Sequence, residues 1–172
     1  MDIYLIRHTK VAVEGYCYGQ TDVELFDTFE QEAEVVKKKL ELIPHDAVFA
    51  SPLSRCVRLL EYCGYGEEAQ YREGLKELNF GDWEMKRWEQ MDMKEWESDW
   101  INVPTPNGES FREMYERVVS FLDELKSRNY KSIKIFTHGG VINCVKVYFG
   151  LCSLEDAFNR LAAYGEVLRF EL

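Results

Sequence analysis

Three histidines occur in the 172-residue chain. Two of them, His8 and His138, directly follow its clearest apolar runs, Ile3-Tyr4-Leu5-Ile6 and Ile133-Lys134-Ile135-Phe136. A neutral imidazole is a nucleophile toward phosphorus and a competent leaving group, so it can carry a covalent phosphoryl intermediate. It must present one nitrogen unprotonated, so the other should donate to an acceptor such as a backbone carbonyl. Arg7 adjoins His8, and a planar guanidinium grips two phosphoryl oxygens at once without losing its charge. Ser51-Pro52-Leu53-Ser54-Arg55 repeats that logic after the run Ala47-Val48-Phe49-Ala50. It places a second arginine at a helix start, where the backbone dipole also favours an anion. His138-Gly139-Gly140 opens another helix. Its glycines let a ligand approach the backbone, and His138 can donate to a phosphoryl oxygen. Glu77 lies in a loop with Phe80, Gly81 and Trp83. That apolar setting suits a carboxyl that first protonates a leaving oxygen and then activates water.

These groups need a scaffold that gathers strand ends. The apolar runs 3–6, 47–50 and 133–136 lack polar alternation, as strands buried on both faces do. A helix capped by Asp27 or Thr28 is expected through about Leu42, with Phe29, Ala33, Val36 and Leu40 inward and Pro44 ending it. Pro52 suits the first turn of a helix that runs through Cys63. Short strands are expected at 70–72 and 166–170, and helices at 86–100, 110–128, 141–149 and 154–159. Strands interleave with helices, so the fold expected is a three-layer α/β/α sandwich with a largely parallel central sheet. Ligands of such sheets bind at the carboxyl ends of the strands. We expect one domain over residues 1–172. The stretch 85–108, with Trp88, Trp96 and Trp100, is either an amphipathic core helix or a lid whose aromatics stack on a flat base.

The net charge is −10, from 21 basic and 31 acidic residues. That argues against nucleic acid as a partner, because counterion release needs a basic face. An anionic substrate must then be drawn by a local basic pocket. Five cysteines show no disulfide or metal-ligand spacing. A strand starts at the N-terminus and no apolar run reaches the ~20 residues of a membrane span, so we expect a cytoplasmic protein.

The segments Arg7-His8-Thr9, Ser51-Pro52-Leu53-Ser54-Arg55, Leu75-Lys76-Glu77-Leu78-Asn79-Phe80-Gly81-Asp82-Trp83-Glu84 and Thr137-His138-Gly139-Gly140-Val141-Ile142 resemble, in order and spacing, the successive motifs of the histidine phosphatase superfamily, the phosphoglycerate mutase-like branch 1. The resemblance implies the phosphoglycerate mutase-like fold and a phosphohistidine at His8. It also implies phosphate ligation by Arg7, Arg55 and His138, proton transfer by Glu77, and neither metal nor cofactor. The chain departs from the pattern. Thr9-Lys10-Val11 replaces the usual Gly-Glu-Thr, Glu14 stands near the position of a phosphate-binding asparagine, and Met85 stands where glycine often follows Trp-Glu. Tyr18-Gly19-Gln20-Thr21-Asp22 resembles the phosphate loop that follows, which makes Gly19 and Gln20, with Gly139, candidate substrate contacts. That segment and the Arg-His-Thr opening are most similar to the bacterial α-ribazole phosphatases.

The expected activity is therefore phosphomonoester hydrolysis, with α-ribazole 5′-phosphate of cobalamin biosynthesis as substrate. A phosphoglycerate mutase, a broad-specificity metabolite phosphatase and a non-catalytic phospho-ligand module are the alternatives. The expected partner is a small phosphorylated metabolite, with no nucleic acid and no membrane, and a homodimer is allowed for.

Overall fold

The computed structural model describes residues 1–172. Five strands, β1 (Asp2–Arg7), β2 (Ala47–Ala50), β3 (Ala69–Tyr71), β4 (Ser132–Thr137) and β5 (Val167–Glu171), form one sheet in the order β3-β2-β4-β1-β5. The first four run parallel, and β5 lies antiparallel to β1 at the edge. Five helices accompany them: α1 (Phe29–Glu41), α2 (Ser54–Tyr62), α3 (Lys94–Ser98), α4 (Phe111–Lys126) and α5 (Gly139–Tyr148).

The uninterrupted apolar runs are explained by helices on both faces. Ile3, Leu5, Phe49, Ile133 and Ile135 pack with Phe111, Met114 and Val118 of α4 and Val141, Ile142 and Val145 of α5. Their neighbours Ile6, Val48, Ala50 and Phe136 turn to the other face, against Ala33, Val36 and Leu40 of α1 and Cys56, Leu59 and Leu60 of α2. Each fully buried large aliphatic side chain contributes roughly 1.5–3 kcal/mol. Lys134 belongs to this buried strand set. Its ammonium runs to the sheet's amino end, where it donates to the Leu40 carbonyl, Tyr65 Oη and His45 Nδ1. α4 starts with a full capping box between Ser110 and Glu113.

Two expected helices are not formed. Residues 86–100 contain only a 3₁₀ turn at Trp88–Gln90 and the short α3. Trp88 packs edge-on against Phe80, Trp96 against Trp83, and Trp100 against Phe111 and Phe158. Three indoles docking at three places override the local helical preference. Residues 154–159 form turns, because Asp156 binds the Ser153 hydroxyl and the Asn159 amide through its side chain. Such local bonds compete with a helix. Pro52 precedes α2 instead of sitting in its first turn. Thr28 is at the amino end of α1, but its hydroxyl binds Glu32 and caps no backbone N–H.

Candidate active site

The parallel register assembles the site. Arg7 on β1 pairs with Thr137 on β4, so His8 and His138 leave the sheet side by side. Their ring centroids are 5.2 Å apart. The His8 amide donates to the Thr137 carbonyl and the Ser51 amide to the Phe136 carbonyl. Three adjacent strands thereby deliver Arg7-His8, Ser51 and His138 to one point at their carboxyl ends.

His8 Nδ1 lies 2.7 Å from the Thr9 carbonyl oxygen. A carbonyl only accepts, so Nδ1 carries the proton and Nε2 keeps its lone pair. Burial, with the nearby Arg55 and Arg7 charges, pushes the His8 pKa well below the usual 6.5. The ring is therefore neutral at pH 7, the state that a nucleophile toward phosphorus requires.

His138 is the amino-terminal cap residue of α5 and is wholly buried. Its Nδ1 accepts from Arg55 Nε at 3.2 Å, and its Nε2 lies 2.7 Å from Ser51 Oγ. Burial, then the Arg55 charge, lowers its pKa well below 6.5 as well. Sequence reasoning made His138 a free donor to a phosphoryl oxygen. Here its N–H is engaged by Ser51, so direct donation requires exchanging that partner.

Arg7 and Arg55 are both buried, yet neither joins any of the seven ion pairs of the protein. Arg55 donates to the carbonyls of Gly19 and Thr21. Arg7 Nη1 donates to the Ala162 carbonyl, and Arg7 Nε is buried without a partner. Two desolvated cations lacking a carboxylate carry a large penalty that a bound anion offsets. This local charge meets the requirement set by the chain's net −10.

Glu77 shares the cavity with Arg7 and His8. Its Oε1 accepts from its neighbour's amide, Leu78 N, and its Oε2 from Gly140 N at 3.1 Å. A Cβ at Gly140 would sit 2.2 Å from Glu77 Oε1, so no larger residue fits there. The loop that carries Glu77 is clamped from α4. Arg117 donates to the carbonyls of Gly74 and Glu77 and pairs with Glu109, which in turn accepts from the Asn79 amide. Gln20 Nε2 is a further donor to the Glu77 carbonyl.

The sequence profile of the histidine phosphatase superfamily (branch 1) matches residues 3–172. The chain belongs to this superfamily. An adenosylcobalamin/α-ribazole phosphatase of Salmonella typhimurium is 27% identical over 154 residues, covering 83% of this chain and 76% of its own. A Hydrogenobacter thermophilus protein, named provisionally as phosphoserine phosphatase 2, is 26% identical over 91% of this chain and 82% of its own. Among solved structures, a phosphoglycerate mutase from Thermus thermophilus aligns with a TM-score of 0.79 at 30% identity, covering 98% of this chain and 92% of its own. The chain is thus a member of a family of phosphatases and mutases, with the mutase-like fold.

Superfamily likeness made Gly19, Gln20 and Gly139 candidate substrate contacts; of the expected site residues Arg7, His8 and Glu77 line the cavity, and Gly19, Gln20, Gly139, Arg55 and His138 do not. The Gly19, Gln20 and Thr21 amides donate to the Glu84 carboxylate. Burial works to raise the Glu84 pKa, but these hydrogen bonds outweigh it and hold the carboxyl below its usual range. Glu84 thus anchors the 18–21 loop from behind. The loop's carbonyls, not its amides, face the site, where they hold Arg55. Gly139 packs against the Arg7 guanidinium, and its successor Gly140 lines the cavity. Arg55 is buried near the start of α2, but the helix's first amide, Ser54 N, is taken by Asp22.

A cavity of about 250 Å³ opens beside Arg7, His8 and Glu77. Its remaining walls are aromatic and apolar, including Tyr18, Phe80, Trp88, Trp96, Phe158 and Leu161. Two of the three tryptophans of the 85–108 stretch therefore face the site, and Trp100 goes to the core. The Trp96 indole N–H is buried with no partner. Sequence reasoning gave no role to Ser51, Tyr18 or Glu84, although each lies inside a quoted motif, and it missed Arg117 and the 158–164 segment, for which no local signal exists. No three histidine, cysteine or carboxylate side chains are grouped to hold a metal ion. No helix is long and apolar enough to cross a membrane.

Proposed function

We propose that the chain is a phosphomonoesterase that works through a phosphohistidine on His8, with α-ribazole 5′-phosphate as its substrate. The observation that carries this reading is the pair of buried, carboxylate-free guanidiniums, Arg7 and Arg55, around a histidine whose Nδ1 is tied to a carbonyl. In the first step His8 Nε2 bonds to phosphorus as the phosphorus–oxygen ester bond breaks. Protonated Glu77 gives its proton to the leaving alkoxide. In the second step the Glu77 carboxylate takes a proton from water while the water oxygen bonds to phosphorus. The nitrogen–phosphorus bond then breaks, which frees phosphate and neutral His8. Arg7 and Arg55 stabilise the equatorial oxygens in both steps, where pre-oriented charge is worth most.

The leaving group occupies the cavity beside Glu77. Trp88, Trp96, Phe80 and Phe158 suit a flat, apolar group such as the dimethylbenzimidazole of α-ribazole. Phosphoglycerate and phosphoserine carry a carboxylate, and Arg7 is the only cation in that wall. On this reading 85–108 acts as a lid over the substrate, and the protein works in the cytoplasm, where its five free cysteines stay reduced. The test is kcat/KM across a panel of α-ribazole phosphate, phosphoserine, 3-phosphoglycerate and a sugar phosphate. Preference for the first supports the assignment. Preference for phosphoserine or phosphoglycerate overturns it.

A further inference from the structure

Near the position where the superfamily pattern has an asparagine, this chain has Glu14, whose side chain is exposed. Two phenols reach the anion site by another route. The Tyr164 ring lies 4.1 Å from the Arg7 guanidinium carbon and 5.6 Å from the His8 ring. The Tyr18 ring lies 5.6 Å from the Arg55 guanidinium carbon. Each tyrosine thus covers one of the two arginines, and their hydroxyls meet at 3.1 Å. That bond links the phenol over Arg7 to the phenol over Arg55, and the Tyr164 ring also neighbours the nucleophile. Resting on the phosphatase reading above, we propose that Tyr18 and Tyr164 act together as a hydrogen-bond donor to the phosphoryl group, the ligand that Glu14 does not supply.

The chemistry of the pair fits that role. In an O–H···O–H pair one proton is used internally and the other stays free to point at an anion. The internal bond polarises the free hydroxyl and strengthens its donation. Burial, together with the bond to Tyr164, pushes the Tyr18 pKa above the usual phenol range, so it remains a donor. A ring over one face of each guanidinium leaves its in-plane N–H groups not used within the protein, such as Arg7 Nε, free for phosphoryl oxygens. The backbone fixes Tyr164 in place. Gly165 N donates to the His8 carbonyl, Arg7 N to the Glu166 carbonyl, and the Ala162 carbonyl accepts from Arg7 Nη1. Tyr164 also lines a second, separate cavity with Lys10, Val11 and Phe26.

The test uses Tyr18→Phe, Tyr164→Phe and the double variant, which keep both rings and so keep the stacking. Inorganic phosphate is titrated into each by calorimetry, with Tm measured in parallel. Each single variant is expected to bind phosphate about 10- to 100-fold more weakly at unchanged Tm, the size of one hydrogen bond to a charged group. The double variant is expected to match the weaker single one, because the pair acts as a unit. Phosphate affinities within about twofold of the parent overturn the proposal, and losses that multiply in the double variant overturn the joint action. If the parent protein itself binds no phosphate, the phosphatase reading fails first and this inference falls with it.

Discussion

His8 and His138 stand one residue beyond the paired ends of β1 and β4, with ring centroids 5.2 Å apart and both rings neutral by burial. The juxtaposition is a consequence of parallel pairing. One backbone register sets two imidazoles from opposite ends of the chain beside each other, and the Ser51–His138 and Thr9–His8 bonds then choose their tautomers.

The neutral histidines predict a pH dependence. Both folded-state pKa values lie below the ordinary 6.5. Between the folded and unfolded values the unfolded chain binds more protons, so stability rises with pH there. The contribution is full above pH 6.5 and is lost as the pH falls toward the folded values. The Tm should drop as the pH falls below 6.5, and less steeply in His138→Gln. The acid limb of kcat/KM should likewise lie below pH 6.5. An acid limb above that value would contradict a desolvated His8.

The clamp on Glu77 predicts a kcat effect at a distance. Arg117→Ala removes donors to the Gly74 and Glu77 carbonyls and leaves the half-buried Glu109 unpaired. It should lower kcat about tenfold or more with little change in KM, and cost roughly 1–3 kcal/mol of stability by urea unfolding. In a Glu77→Gln background the same change should lower kcat no further. An additive loss there would separate Arg117 from Glu77.

How far the sequence disclosed this site depends on how local each residue's signal is. Arg7, His8, Arg55 and His138 were legible because each follows or nearly follows an apolar strand, and the sheet fixes where strand ends lie. That the Gly19 and Gln20 amides donate to Glu84 was not legible, because Glu84 is distant in sequence and nothing local pairs them. Arg117 and Tyr164 were invisible for the same reason. The 86–100 stretch read as a helix because its composition suits one. Its tryptophans instead dock on Phe80, Trp83 and Phe111, contacts that no window of that sequence contains.

Met85 departs from the superfamily's glycine and is held at φ 61°, in the left-handed region. Its amide donates to the Cys17 carbonyl, which fixes that conformation. Met85→Gly relieves the strain of a side chain there, so it should stabilise the fold by up to about 1 kcal/mol. Chemical denaturation of the two proteins is the check. A destabilisation would mean that the half-exposed methionine contributes more by packing than it costs in strain.

The aromatic wall predicts selectivity. Trp88→Ala and Trp96→Ala should each reduce kcat/KM for α-ribazole phosphate about 2- to 10-fold, the range of one aromatic contact. Glycerol phosphate, with nothing to stack, should be hydrolysed as before. Equal losses on both esters would assign the tryptophans to the fold and not to the substrate.

The central claim, attack on phosphorus by His8, is tested most directly by trapping the intermediate. Quenching the protein in alkaline denaturant during turnover of a labelled phosphate ester, followed by alkaline proteolysis and mass spectrometry, should find one base-stable phosphoryl group on His8 that brief acid treatment removes, absent from His8→Ala, which should also be inactive. Label on any other residue, or a His8→Ala protein that keeps near-normal turnover, would contradict the mechanism.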